Sequence, residues 1–213
     1  MTNQEFIRAI APSVRKYAVQ YGYKYPSAVI AQACLESAYG ASSLSAKYFN
    51  YFGIKGYPKW TGRVVNLATK EEYSPGTLTN ITAAFCVYDS MDAGVKGYFD
   101  FLERNPRYKN LHDATSAEDY LQKIRDDHYA TSNNYVQNCL NILYAYNLRR
   151  FDEPITPTGL KRVDVQTWLN IRSMPSIGSA VIGKLPPDSE VTVDRVDGDW
   201  SHIEGWVYSK YLF

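Results

Sequence analysis

The chain has 213 residues, 45% of them apolar and 15% aromatic, with 19 tyrosines and a formal charge of only +1. That composition excludes a disordered chain, and the length suffices for one large domain or two modest ones, each burying a core. The cationic excess lies in residues 1–150 and an anionic excess in residues 151–213; neither is large enough to make nucleic acid the expected partner, and no stretch of about 18 apolar residues offers an integral membrane segment.

Thr2 and Glu5 have capping-box spacing, and Phe6, Ile10, Val14, Tyr17 and Tyr21 recur at helical intervals, with Pro12 expected to split the segment in two. No basic stretch followed by an apolar one precedes them, so no secretion signal is expected at this N-terminus. A second helix is predicted from Pro26-Ser27 to about Gly40. From Trp60 to Tyr88 the text becomes β-branched and alternating, RVVNLATKEEY and LTNITAAFCVY joined by SPG, which predicts a hairpin. Helices then resume after a cap at Asp89 or Ser90, at SAEDYLQKIRDD, and after a Thr131-Ser132 cap. Two prolines and a glycine in FDEPITPTG mark a linker, placed at residues 151–162 between a domain of residues 1–150 and one of residues 163–213. The last segment alternates short strand-like runs with turn signals, which predicts a small all-β barrel.

Cys34, Cys86 and Cys139 are far apart and lack metal-ligand spacing, so they read as buried free thiols. His112, His128 and His202 have no partner at ligand spacing, and neither a metal nor any other cofactor is expected. The predicted second helix has one acid, Glu36, on a stripe with Gln32 and Tyr39. Position alone leaves two readings open: a solvated surface charge, or a desolvated carboxyl kept protonated to serve as a general acid.

Residues 31–56 contain Gln32, Leu35, Glu36, Ser37 and Gly40, then Asn50, Phe52, Gly53, Ile54, Lys55 and Gly56. This ordered pattern resembles the signature of the family 73 glycoside hydrolases, the bacterial-wall glucosaminidases, with Tyr39 where the family more often has tryptophan. The likeness continues through residues 85–108 and 129–143 and covers almost all of residues 3–150. It implies an α+β lysozyme-like fold, mostly helical with a small β lobe, and Glu36 as general acid at a helix end on the floor of a groove. The substrate implied is bacterial peptidoglycan, cut endo-wise at the β-1,4 bond between N-acetylglucosamine and N-acetylmuramic acid. It also implies a second carboxylate from the hairpin, Glu71, with Glu72 as the alternative one residue of register away. Tyr135 is implied as a catalytic residue beside the centre, with Gln32, Asn50, Phe52, Lys55, Trp60 and Tyr129 as substrate contacts. For Phe52 and Ile54 a core position is an equal expectation. Inverting, retaining and substrate-assisted chemistry all stay open, as do a muramidase, a lytic transglycosylase and a non-catalytic wall-binding protein. The lack of a leader is what a phage endolysin would have, held in the host cytoplasm until its release to the wall; a secreted autolysin is the variant.

Residues 167–213 carry Leu-Asn-Ile-Arg-Ser-x-Pro-Ser, Val-Ile-Gly-Lys-Leu and Gly-Trp-Val-Tyr-Ser-Lys-Tyr-Leu, and resemble the bacterial SH3-like (SH3b) modules. The resemblance implies binding to the peptide part of the wall. Trp168 and Trp206 are expected in the barrel core, and Trp200, Tyr208 and Tyr211 at exposed contacts.

Overall fold

The computed structural model describes residues 1–74, 77–152, 159–197, 199–203 and 205–212, with the backbone alone over 70–74 and 77–80. The chain divides into two compact units, Met1–Glu153 and Pro154–Phe213.

In the first unit α1 runs over Asn3–Tyr21. The Thr2 hydroxyl accepts from the Glu5 N–H and the Glu5 carboxylate accepts from the Thr2 N–H, which satisfies two donors that the first turn leaves open. Pro12 does not split this helix. It lies on the exposed face, where the carbonyl left without its N–H partner can turn to water, so the bend expected from the sequence is not needed.

Helix α2, Pro26–Ser37, is the centre of the unit: ten of its twelve residues are buried. Proline at its first position supplies a preset φ and removes a donor that has no helical acceptor there. Alanines at 28, 31 and 33 admit close approach by α1, by α5 (Ala117–Asp126) and by α6 (Tyr135–Ala145). At the helix end the Ser37 hydroxyl donates to the Ala33 carbonyl and accepts from the Gly40 N–H. Ala38, Tyr39 and Gly40 then take positive φ in succession. At Gly40 a Cβ would stand 2.7 Å from the Phe6 ring, so the turn that ends α2 needs glycine for space as well as for conformation.

Helix α3, Ser43–Tyr48, is one short turn and a half leading into the loop at 49–56. Strands β1 (Val64–Ser74) and β2 (Thr77–Cys86) form the predicted hairpin, in register from Val64 opposite Cys86 to Glu72 opposite Leu78. Residues 54–56 run beside the end of β2 through Cys86 N–H to the Ile54 carbonyl and Gly56 N–H to the Ala84 carbonyl. Helix α4, Met91–Arg104, is capped by Ser90 and presses so close to the loop that a Cβ on Gly94 would lie 1.9 Å from the Phe49 carbonyl oxygen. The cap expected at Thr131-Ser132 sits two residues beyond Ser132: α6 starts after Asn134, whose N–H donates to the Ser132 hydroxyl. All three cysteines are buried free thiols, and burial pushes those of Cys34 and Cys139 up to about 12.

The linker is shorter than the sequence reading places it. Phe151 is buried, and the Asp152 carboxylate accepts from both the N–H and the hydroxyl of Ser27, so the chain is still anchored there to the start of α2. At the far side β3, Gly159–Arg162, is already paired with β6, Glu190–Val193.

The second unit adds a five-stranded antiparallel sheet in the order β5-β4-β9-β8-β7, with β4 at Leu169–Arg172, β5 at Val181–Leu185, β7 at Arg195–Asp197, β8 at Trp200–His202 and β9 at Trp206–Tyr208. Val163, Leu169 and Val207 form its core.

Candidate active site

Glu36 lies in the last turn of α2, the one charged residue on that helix. Its side chain is exposed, so solvent reaches it from one side. The protein mass around the carboxyl nevertheless raises its pKa by desolvation, and a hydrogen bond from Tyr135 works against that rise. Exposure and desolvation coexist because a carboxyl set at a protein wall is open to solvent at its tip while losing much of the water shell that would stabilise its charge. That is the environment a general acid needs: reachable by a leaving group, and protonated further up the pH scale than a free glutamate.

Tyr135, the first residue of α6, is buried and accepts a hydrogen bond of 2.9 Å from Gln32 Nε2. Gln32 stands one turn before Glu36 on α2, and its Oε1 accepts from the Tyr98 hydroxyl at 2.8 Å. Phe52 stacks on Tyr98 with centroids 4.0 Å apart, and Tyr129 donates to the Phe52 carbonyl at 2.7 Å. Tyr129 and Tyr135 rings are 6.2 Å apart. Residues from α2, α4, α6 and the loop before β1 thus converge around one carboxyl.

Three residues expected to touch substrate are buried, Phe52 in the core position that was its other expectation. Gln32 has no exposed surface, Asn50 is 2% exposed and Phe52 3% exposed. Asn50 spends its amide on the fold: Nδ2 donates to the Ile54 and Cys86 carbonyls and Oδ1 accepts from the Ile54 N–H, each at 2.9 Å. These groups shape the site from behind, because a buried amide with all its bonds made inside the protein has none left for a sugar. Tyr129 is half-buried and Lys55 exposed. Trp60 is half-buried, its Nε1 donating to the Arg63 carbonyl and its ring packed by Tyr57 and Tyr88. Glu71 and Glu72 stand in β1 opposite Thr79 and Leu78, and their side chains lie outside the described residues. Tyr98 went unnoticed in the sequence; its spacing on α4 is that of a core residue, which it also is.

In the second unit a groove of about 610 Å³ is lined by Trp168, Trp200, Tyr208 and Tyr211, with Asp164 and Arg172 among its polar groups. Trp168, expected in the core, is instead 57% exposed, because β4 begins only at Leu169 and that leucine takes the inward position. Trp206 is half-buried beneath the Arg195 guanidinium. Among the described residues no cluster of His, Cys, Asp or Glu could hold a metal ion, and no helix is long and apolar enough to cross a membrane.

Residues 11–148 match the sequence model of the glucosaminidase family, described as mannosyl-glycoprotein endo-beta-N-acetylglucosaminidase, and residues 168–213 match that of the bacterial SH3 domain. The peptidoglycan hydrolase FlgJ of Escherichia coli K12 is 31% identical over 140 residues, which are 64% of this chain and 44% of that protein. A probable N-acetylmuramidase of Lactococcus lactis subsp. lactis is 35% identical over 158 residues, 71% of this chain and 35% of the relative. The chain therefore spans less than half the length of these two relatives. Among solved structures, the catalytic domain of the autolysin Auto from Listeria monocytogenes superposes with a TM-score of 0.61 at 30% identity, covering 70% of this chain and 86% of that one.

Proposed function

The chain belongs to the glucosaminidase family, and from that premise we propose that it is a peptidoglycan hydrolase that cuts the β-1,4 bond between N-acetylglucosamine and N-acetylmuramic acid within the glycan strands. The observation that carries this reading is Glu36: a reachable carboxyl at the end of a buried helix, with its pKa raised by desolvation. Protonated, it gives its proton to the glycosidic oxygen as the bond to the anomeric carbon breaks. The Tyr135 hydroxyl then stabilises the carboxylate left behind. Glu71, or Glu72 in the other register, is the carboxylate that activates water or offsets charge on the sugar. The aromatic groove of the second unit holds the wall, so that each cut is made at a high local concentration of substrate.

Purified peptidoglycan is digested, its new reducing ends are chemically reduced, and the fragments are weighed by mass spectrometry. Reduced N-acetylglucosamine at the new ends is expected. The likeness to a probable N-acetylmuramidase favours one rival, which would give reduced N-acetylmuramic acid; a lytic transglycosylase would leave the anhydro sugar. Release of no fragments at all, with wall binding retained, would make the chain a non-catalytic binder.

A further inference from the structure

The second unit holds a carboxylate that its fold does not use. Glu190 pairs with Arg162 at 3.7 Å, and Asp194 lies 2.7 Å from His202 Nδ1. Asp164 has no such partner: among the described residues its side chain makes no hydrogen bond or ion pair. Its backbone, by contrast, is fixed. The Asp164 N–H donates to the Tyr211 carbonyl at 2.8 Å, and the residue before it, Val163, is fully buried and bridges to Leu212. Asp164 is exposed and lines the aromatic groove, so this clasp sets an unpaired negative charge next to Tyr211 in the groove wall.

From that point a row of rings crosses two strands. Tyr211 and Tyr208 have centroids 5.9 Å apart, and Tyr208 and Trp200, opposite one another on β9 and β8, 5.7 Å apart. Tyr211 is 38% exposed and the other two rings are half-buried, which leaves the row open to a ligand. Arg172 also lines the groove, but its Nη1 donates to the Ser179 carbonyl at 2.7 Å, and among the described residues it makes no ion pair with Asp164. A ligand that fits this order is apolar along its stem and cationic at its tip. Rings take up methylene groups and attract an ammonium, and a carboxylate at the end of the row fixes the charge. An uncharged ligand would gain nothing from Asp164 and would cover it at a desolvation cost.

Taking the groove as the part of the chain that holds the wall, as in the function proposed above, we propose that it binds the free side-chain ammonium of a diamino acid in the wall's stem peptides. The methylenes lie along Trp200 and Tyr208, and the ammonium reaches Asp164 beside Tyr211. The row selects this amine over that of a glucosamine without its acetyl group, because the sugar amine is joined directly to a ring bearing hydroxyls and has no apolar stem to lay on the aromatic side chains. A cross-link is an amide made at the same peptide ammonium, which removes its charge. The groove therefore directs the chain to strands that are not yet cross-linked.

The test measures sedimentation of the full chain, on ice, with purified lysine-type wall stripped of teichoic acid by hydrofluoric acid, before and after acetic anhydride has turned the wall's amines into amides. For the wild type, acetylation weakens binding about tenfold. Asp164→Asn keeps the shape of the side chain and the backbone bond to Tyr211; it binds untreated wall about tenfold more weakly and is indifferent to acetylation. Asp197→Asn removes an exposed carboxylate outside the groove and follows the wild type on both walls. Competition identifies the source of the ammonium. The peptide N-acetyl-Ala-γ-D-Glu-Lys displaces the wild type from untreated wall, whereas the same peptide acetylated on its lysine side chain, or a glucosamine tetramer, does so about tenfold more weakly. The proposal is overturned if Asp164→Asn binds untreated wall as the wild type does, if acetylation weakens both proteins equally, if Asp197→Asn loses as much as Asp164→Asn, or if the glucosamine tetramer competes as well as the free peptide. Should Asp164→Asn not fold, the two peptides decide alone. A wild type that cleaves soluble glycan fragments but binds neither wall would instead refute the wall-holding role of the groove, and one that cleaves no fragments the enzymatic reading, so the failures are distinct.

Discussion

Asn50 offers the sharpest test of how this site is held together. Replacing it with alanine removes three hydrogen bonds of 2.9 Å from a residue that is 2% exposed. The Ile54 carbonyl keeps a second donor in the Cys86 N–H, but the Ile54 N–H loses its acceptor in a dry place. Three bonds at about 1 kcal/mol each, plus roughly 1–2 kcal/mol for the stranded donor, give a loss of about 4–5 kcal/mol. For a unit of this size that lowers the melting midpoint by on the order of 10 °C. Asn50→Asp should behave differently from Asn50→Ala: its carboxyl still accepts from Ile54, yet faces two carbonyls, so it is held protonated in the folded state. Its folded pKa is therefore raised, and the variant loses stability as pH rises through that value. Calorimetry of the full chain gives the midpoints, and hydrogen exchange in peptides containing Ile54 and Cys86 locates the damage. A shift of under about 2 °C for Asn50→Ala, or loosening elsewhere than residues 50–56 and 84–86, would refute this account and return Asn50 to the list of sugar contacts.

Glu36→Gln should lower glycan cleavage by about 10²–10⁴-fold while leaving sedimentation with purified wall unchanged. The same change should not destabilise the protein at neutral pH: because burial raises the folded pKa of Glu36, its ionised form favours unfolding, and that penalty appears as pH rises through the raised value. The variant should melt at or above the wild type at pH 7 and lose the advantage near pH 4. Glu118 has the reverse sign. Burial pushes its carboxyl up, but hydrogen bonds from Arg149, its own backbone, Tyr144 and Ser116 outweigh this and pull it down to about 2. Its contribution is present above the ordinary carboxylate range and fades as pH falls toward 2. Glu118→Gln should therefore cost about 1 kcal/mol at pH 7, after allowance for the exposed Arg149, and almost nothing at pH 2. In the second unit, Trp168→Ala should weaken wall binding about tenfold in a pull-down and leave cleavage of soluble fragments intact.

Glu36 was legible in the sequence because the motif around it is ordered over twenty-five residues, and the helix, hairpin, helix succession followed from periodicity and cap chemistry. Gln32 and Asn50, expected at the substrate, turn out buried for a physical reason. A motif records which side chains a site requires, whether they face the ligand or hold up those that do, and an amide serves both purposes equally well. Only packing tells them apart. Pro12 misled in a similar way: its local rule presumes an unpaired carbonyl in the core, and the orientation that puts it at the surface depends on what α1 packs against. Trp168 looked like core by hydrophobicity, and one step of strand phase turned it outward.

Helix α2 carries a carboxylate interaction at each end, Asp152 on the Ser27 N–H and Glu36 in the final turn. The aligned peptide dipoles of a helix favour negative charge at the first position and oppose it at the second. Burial raises the carboxyls of both acids, and the backbone, independent of any side chain, opposes that rise at Asp152 and adds to it at Glu36. Moving Glu36 one turn toward the middle of α2 would bury it, and moving it beyond Ser37 would take it off the end of the dipole. A carboxyl that is at once accessible and reluctant to ionise therefore has one place to stand on this helix.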